Sequence, residues 1–574
     1  MKLRLQTNTS LYLTPDSVIG REDKTMEALR WTYEHLDVPV QRCFSYCSIF
    51  PRGHHFYSDE LINLWVAEGF IDSHGGKYEL EAVGQLYFDK LVSCSFLQKE
   101  NLRDSFTVPD LVAGSECFSI KNGWEGDLPQ NVHHLFIEID DGNISEEILE
   151  LTELRTLIIN HTGQNWQNLS YEIFERVFMN LPMLRVLILK VEWFRSEMKI
   201  FDVPQSINLL RHLRYFGFRV SVTDTSLWVL KLPATFAQLY HLLVLDVKGF
   251  LNLSFPLNED MSDLTELRHV IIDSEDPHFP HIGRHESLRT FKHFTVKMEA
   301  GYELYQLKRL NKLHGELNIY GLENVSSNED ALQAELHKKK ILTGVKLSWA
   351  PQEQDIQSKV LRALRPPVRL QTFQIVRYKG SEYPDWMMTD GPEVPECLQY
   401  LKLKYCRELG GEIPKRNKFF NWTDFPDNME RLESLQELLI DDCPNLLSLP
   451  TVLPQSLLLL HIYNCDGWNH WPDNMTDDPS LLELRIEDCC NIKSLPAQLP
   501  STLQKLKVTA GCSKIRSLPE MPHSLLELIL GSCSRKFIRD CKTPGHQYYE
   551  NISHVPNKII EYDSDKDEEM EDNQ

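Results

Sequence analysis

The sequence predicts an α/β chain in which a helix-rich module is followed by a long solenoid of short parallel strands. Three observations predict it. The chain has 574 residues, whereas one hydrophobic core stops growing near about 250–300 residues, so the molecule is divided or repetitive. A run of the form L-x-x-L-x-L-x-x-C ends at Cys443, Cys465, Cys489, Cys512 (one residue late) and Cys533, in steps of 22, 24, 23 and 21 residues. Residues 26–110 instead place apolar and aromatic side chains at helical spacing.

Taken in order, residues 1–25 are polar and carry no periodicity. Met26–Leu36 and Val40–Phe50 read as helices, and Pro51 stops the second. Ser58 reads as the N-cap of the next helix, with Asp59 and Glu60 favouring its dipole and the Gly69 region ending it. Leu80–Ser93 is a further helix, and Phe96–Gln98 with Phe106–Val108 are placed to pair as a β-wing. Short helices closed by a wing form a winged-helix pattern, assigned to residues 26–110.

Residues 111–540 are assigned to the repeats. Leu398-x-x-Leu401-x-Leu403-x-x-Cys406 recurs from Leu435, Leu457, Leu481, Leu503 and Leu525. This is the leucine-rich-repeat signature. In each L-x-L strand the two apolar side chains point inward, and the residues beside them point outward onto the concave face of a horseshoe. The cysteine is small enough for a buried turn, so six of the 13 cysteines read as structural. In the earlier half Leu154-x-x-Leu157-x-Ile159, Leu184-x-x-Leu187-x-Leu189, Leu242-x-x-Leu245-x-Val247 and Leu267-x-x-Val270-x-Ile272 fit. Between 273 and 397 insertions break the spacing, with a helix expected around Asn328–Lys339. About 15 repeats are expected in all. Residues 541–574 are assigned to an acidic disordered tail, whose run from Glu561 to Gln574 holds eight acids and one Lys.

Acids outnumber Lys plus Arg by 83 to 60, for a net charge of −23, which disfavours coating nucleic acid or anionic lipid. No run of 18 apolar residues occurs, so no transmembrane helix is expected. The first residues lack an apolar signal core, which points to reduced thiols in the cytoplasm, with nuclear or peripheral plasma-membrane placement open. Nine N-x-[ST] sequons, among them Asn160-His161-Thr162 and Asn421-Trp422-Thr423, keep an extracellular repeat receptor open as an alternative.

Cys43–Ile71, CFSYCSIFPRGHHFYSDELINLWVAEGFI, closely resembles the winged-helix subdomain of plant NB-ARC disease-resistance proteins. That family carries C-F-x-Y-C-x-x-F-P followed by L-I-x-L-W-x-A-E-G-F. Ala28–Leu36, Leu91–Gln98 and His314–Lys340 resemble the preceding helix, the following segment and the repeat region of its coiled-coil class. The resemblance implies an innate-immunity protein that recognises pathogen effectors or guarded host proteins and contributes to defence. It also implies ADP or ATP in complete members, and in them an intramolecular contact with the NB-ARC core. The present sequence departs there. No G-x-x-x-x-G-K-[ST] phosphate loop occurs, and Val18-Ile19-Gly20-Arg21-Glu22, which resembles the opening of the nucleotide domain, runs directly into the winged-helix module. A truncated relative is expected, with the nucleotide core missing. The family's Met-His-Asp sensor is replaced by Val108-Pro109-Asp110, and Pro109 has no backbone N–H. No cofactor and no enzymatic activity are therefore expected. A nucleotide-switched NTPase, should the core be restored, and an inactive relic are the further alternatives.

No catalytic or metal-binding residue is assigned. His54-His55 and the Cys43/Cys47 pair read as loop and core rather than metal ligands. Residues 26–110 hold 13 acids against seven Lys plus Arg, and the helix Leu61–Phe70 carries no base, which disfavours DNA reading. The candidate partner-binding face consists of outward residues on successive strands: Tyr400, Lys402 and Lys404; Glu437, Leu439 and Asp441; His461 and Tyr463; Glu483, Arg485 and Glu487; Lys505 and Lys507. No polar capping sequence precedes Leu154, so the winged-helix module is expected to cap the first coil, with Phe118, Ile120 and Trp124 at the joint.

Overall fold

The computed structural model describes residues 30–561 except 52, 73–77, 101–103, 109–115, 122–123, 125, 141–143, 164–170, 194–198, 223–227, 251, 255–260, 352–355, 381–382, 389–394, 410–428, 448, 450–452, 469–470 and 472–479. The chain divides into two compact units, Met1–Phe291 and Lys292–Gln574.

The first unit opens with the winged helix. Helices α1 (Val38–Tyr46), α2 (Ser58–Glu68) and α3 (Leu80–Ser93) pack beside strands β1 (His55–Phe56), β2 (Gln98–Lys99) and β3 (Phe106–Thr107). The strands form an antiparallel sheet in the order β1-β3-β2, which is the expected wing with one more strand. Tyr57 rather than Ser58 is the N-cap of α2, so Ser58 is its first helical residue. Gly69 ends α2 at φ 79°, its N–H donating back to Trp65 and Val66; a side chain would strain that left-handed position. Cys43, Cys47, Leu61, Leu64 and Trp65 are at most 1% exposed and form the module's core.

The same unit continues into repeats. An eight-stranded parallel sheet runs in chain order through β4 (Cys117–Ile120), β5 (His134–Ile139), β6 (Thr156–His161), β7 (Val186–Trp193), β9 (Tyr215–Val222), β11 (Val244–Lys248), β13 (His269–Ile272) and β14 (Thr290–Phe291). On the return side of three coils, β8 (Lys199–Asp202), β10 (Trp228–Lys231) and β12 (Asn252–Ser254) form a second small parallel sheet. Helix α4 (Tyr171–Asn180) buries Ile173, Phe174, Val177 and Phe178, residues at helical spacing on one face.

The second unit is one eleven-stranded parallel sheet with its return segments. Its strands are β15 (His293–Thr295), β16 (Gly315–Tyr320), β17 (Leu342–Ser348), β18 (Thr372–Val376), β19 (Tyr400–Lys404) and β20 (Glu437–Asp441). They continue as β21 (Leu459–Tyr463), β22 (Glu483–Glu487), β23 (Lys505–Thr509), β24 (Glu527–Gly531) and β25 (Asn557–Glu561). The register places like with like: Leu401 beside Leu438, Leu460, Leu484, Leu506 and Leu528. These leucines have no exposed surface. From β15 onward the insertions expected before 397 do not interrupt the ladder. Leu342-x-x-Val345-x-Leu347 and Leu370-x-x-Phe373-x-Ile375 occupy the same core positions with Val and Phe in place of Leu. The helix expected there is a short α5 (Asn328–Leu332) followed by a 3-10 turn, Leu336–Lys338.

A common turn follows strands β18–β24. Arg377, Tyr405, Asp442, Asn464, Asp488, Ala510 and Ser532, each directly after its strand, all take positive φ between 48° and 59°. The left-handed residue reverses the chain and sends the cysteine inward. Cys465 Sγ then lies 3.2 Å from Tyr463 O and 3.9 Å from Ile440 O of the preceding coil, and Cys489 repeats the arrangement at 3.3 and 3.9 Å. Burial pushes the Cys465 and Cys533 thiols up to about 12 and Cys512 to about 11. They stay protonated donors, with little nucleophilic character.

The chain beyond Arg535 corrects one boundary. The end of helix α6 (Arg535–Lys542), helix α7 (Gln547–Ile552) and strand β25 occupy residues assigned to the acidic disordered tail from 541. Phe537, Ile538, Cys541, Ile552 and Val555 are buried there, which is enough apolar surface to order the segment. Residues 562–574 lie outside the described residues.

Candidate functional site

The two sheets treat their outward residues differently. In the first unit the outward residues Phe136, Ile158, Val186, Ile188, Tyr215 and Val244 join the hydrophobic cluster of the winged helix. Each is at most 2% exposed. The module therefore lies across the outward face of the repeats, and the expected end-cap arrangement is corrected. The reason is chemical: these strands carry apolar side chains at many outward positions as well as inward ones, so each outward Ile or Phe gains about 1.5–3 kcal/mol from being covered. Phe118 of β4 packs edge-on against Trp124, 5.7 Å between ring centres, and β4 pairs with β5, so the expected joint residues lie at the sheet's first edge.

Three polar clusters surround that contact, with winged-helix carboxylates set against cations of the repeats. Glu60 of α2 accepts from Arg219 at 2.5 Å and pairs with Lys190 at 3.7 Å. Arg219 also binds Asp246, and the Tyr215 hydroxyl donates to that aspartate at 2.6 Å. Burial works to raise the Glu60 carboxyl, but Arg219 and Lys190 outweigh it and hold the group at about 2. In the second cluster Thr156 donates to Glu68, and His134 Nδ1 lies 3.7 Å from it. Arg185 and Arg214 donate to the carbonyls of Glu68 and Ala67 at 2.6 and 3.3 Å, satisfying the last turn of α2. Burial raises the Glu68 carboxyl and pushes the His134 imidazole down to about 3. In the third, Glu81 takes two bonds of 2.6 Å from Arg268 and one of 3.0 Å from His269, and Arg289 binds Glu79. These partners hold Glu81 well below the usual carboxylate range against the effect of burial.

The second unit's sheet leaves its outward residues partly or fully exposed, from β19 to β24. All thirteen residues of the expected partner face lie on it. Lys402, Leu439, His461, Arg485 and Lys507 are brought into one row by the register. Tyr400, Glu437, Glu483 and Lys505 flank it on one side, and Lys404, Asp441, Tyr463 and Glu487 on the other. Cross-strand pairs tie part of it together: Lys404 to Asp441 at 2.7 Å, Lys507 to Glu487 at 3.0 Å and Lys505 to Glu527 at 3.4 Å. Arg485 pairs along its own strand with Glu483 at 2.7 Å. Leu459, Thr509, Glu527 and Ile529 belong to the same face and were missed, although strand parity assigns them outward.

Val108 packs half-buried against the winged-helix core. Pro109 and Asp110 lie outside the described residues. His54 stacks on Phe50 at 4.8 Å, Cys43 and Cys47 are buried, and among the described residues no three His, Cys, Asp or Glu side chains converge on a metal-sized site. No helix among the described residues is long and apolar enough to cross a membrane.

Fold and site together define a winged-helix module seated on leucine-rich repeats, followed by an exposed repeat sheet. Residues 49–113 match the family described as the disease resistance protein winged helix domain, and residues 304–415 match the R13L1/DRL21 leucine-rich repeats. The chain is similar to disease resistance RPP13-like protein 1 of Arabidopsis thaliana, with 26% identity over 77% of this chain and 47% of that one. It is also similar to disease resistance protein RGA2 of Solanum bulbocastanum, with 26% identity over 64% of this chain and 35% of that one. Residues 49–113 and 304–415 thus match domains described for disease resistance proteins, and the chain spans less than half the length of either relative. Among solved structures, the internalin InlJ of Listeria monocytogenes, described as including a cysteine ladder, has 16% identity at a TM-score of 0.31 over 57% of this chain and 60% of that one.

Proposed function

We propose that the chain is the recognition part of a plant innate-immunity protein, working in the cytoplasm and contributing to defence by binding a pathogen effector or a guarded host protein. The observation that carries this reading is the contrast between the sheets: the winged helix covers the outward residues of the first, whereas those of the second reach solvent in ordered rows. Recognition there is binding without bond chemistry. Mixed charges with Tyr400, His461 and Tyr463 interspersed suit a selective protein contact. The chain has no phosphate-binding loop motif in its sequence, so we assign it no nucleotide hydrolysis.

The test is capture of partners from infected tissue by the tagged chain. Arg485→Glu and Glu487→Lys should abolish capture, and Lys536→Glu on the exposed face of α6 should not. Equal capture by all three variants would move the recognition surface elsewhere.

A further inference from the structure

Within the partner face, charge is unevenly distributed. The outward positions of β17, β18 and β19 carry Lys346, Lys402 and Lys404 and not one carboxylate. Of these three lysines Lys404 reaches Asp441 of β20 at 2.7 Å, and farther along the face Arg485, Lys505 and Lys507 are each paired with an acid. Lys346 Nζ stands 4.8 Å over the Tyr320 ring, and the Lys404 ammonium and Arg377 guanidinium stand 4.6 and 5.4 Å from the Tyr405 ring. Lys402, partly exposed between them, has no described ion-pair partner. In a chain with net charge −23 this is a local cationic island.

We infer that β17–β19 form a subsite for a carboxylate-rich segment of the partner protein, an inference that rests on the recognition reading above. Lys346 and Lys402 share a row two strands apart, about 10 Å at the strand spacing of a sheet. Alternate residues of an extended segment, about 7 Å apart, match that separation once long lysine side chains lean toward them. The tyrosine rings hold Lys346 and Arg377 in place, so less side-chain freedom is lost on binding, while Lys404 is already engaged by Asp441. A nucleic acid fits less well. Its phosphates continue without interruption, and the next strand presents Glu437 and Asp441, where a polypeptide can change residue type.

The test uses the full chain and a fluorescein-labelled dodecapeptide of alternating Glu and Ser, followed by fluorescence anisotropy. Binding is expected at low salt and should fall steeply by about 0.3 M salt. The Lys346→Glu/Lys402→Glu double variant should weaken it at least about tenfold. Lys346→Arg/Lys402→Arg should retain it, and Lys536→Glu/Lys542→Glu on α6, with the same change in charge, should also retain it. Thermal melts matching the parent chain establish that the variants fold. Absence of binding at low salt, equal weakening by the α6 variant, or tighter binding of a single-stranded oligonucleotide at the same lysines would overturn the inference. If the acidic peptide fails while Arg485→Glu still abolishes partner capture, this inference falls and the recognition reading stands. If the peptide binds but capture is unaffected by both Arg485→Glu and Glu487→Lys, the recognition reading falls, and the inference falls with it as a partner subsite.

Discussion

Arg219 of the repeats reaches Glu60 of the winged helix at 2.5 Å across 159 residues of sequence, and the same guanidinium holds Asp246 on the neighbouring strand. Both Arg219 and Glu60 are less than 15% exposed at the side chain. Removing one member of such a buried pair strands the other charge, at a cost of about 3–5 kcal/mol. Arg219→Met should therefore destabilise the first unit by that order, measured by urea unfolding. Glu60→Gln should cost less, because Asp246 still satisfies Arg219. Equal losses would mean that Asp246 alone does not hold the guanidinium.

Acid should loosen the same contact through His134. Its folded pKa is depressed to about 3 by burial, against an ordinary value of 6.5. Below pH 6.5 the unfolded chain binds a proton that the folded chain refuses, so stability falls as pH drops from 6.5 toward 3, in total by several kcal/mol. Glu60 adds to the loss only below about pH 4.5, because its carboxyl is held near 2. The opening constant of β5–β7, taken from hydrogen exchange after dividing out the intrinsic rate at each pH, should rise between pH 7 and pH 5, and His134→Gln should remove most of that rise. A rise of the same size in the variant would exclude His134 as its source.

Strand parity sets burial in the second unit. Leu484 is fully buried and Glu483 beside it faces outward. Leu484→Ala should cost about 2–5 kcal/mol, and Glu483→Ala under about 1 kcal/mol, the value of an exposed ion pair. Chemical denaturation decides it, and comparable losses would mean the register is wrong.

The left-handed turns offer a stabilising change. Ala510 sits at φ 48° with its side chain exposed, so its Cβ costs energy without packing against anything. Ala510→Gly should raise stability by about 1 kcal/mol. A lower melting temperature would show that the turn is not strained.

Thiol labelling should separate the cysteines. Cys397 and Cys490 are exposed, whereas Cys406, Cys443, Cys465, Cys489, Cys512 and Cys533 are buried. Mass spectrometry after brief iodoacetamide treatment should find adducts on the first two alone among these eight, and on the ladder only after unfolding. Early modification of Cys465 or Cys489 would mean that the coils open.

Much of this was legible in the residues. The L-x-x-L-x-L runs placed strands β19–β24 of the second unit, because a period of two with one face buried leaves a single register. Where Phe or Val replaces Leu, as at Phe373 and Val345, a pattern written in leucine loses the coil although the core does not distinguish them. The left-handed position was half visible, since Asp442, Asn464 and Asp488 are residue types that tolerate it, but Tyr405 and Ala510 hide it. The seat of the winged helix was written in Leu157-Ile158-Ile159 and Val186-Leu187-Ile188-Leu189, unbroken apolar runs that signal burial on both sides of a sheet. What such runs cannot name is the covering element, because complementarity between Glu60 and Arg219 exists only once the chain has folded. Residues 541–561 were misassigned because the acids beyond Glu561 overshadowed Cys541, Ile552 and Val555.

The covered first sheet has a consequence for how this molecule can change. Its outward positions double as core, so a new side chain at Ile158 or Ile188 must satisfy helix α2 before it can meet anything else. The corresponding positions on β19–β24 answer to no such partner among the described residues of their unit. A lineage, or an engineer, can rewrite those rows for a new target while folding is guarded elsewhere, and variants with altered specificity should concentrate there at little thermal cost.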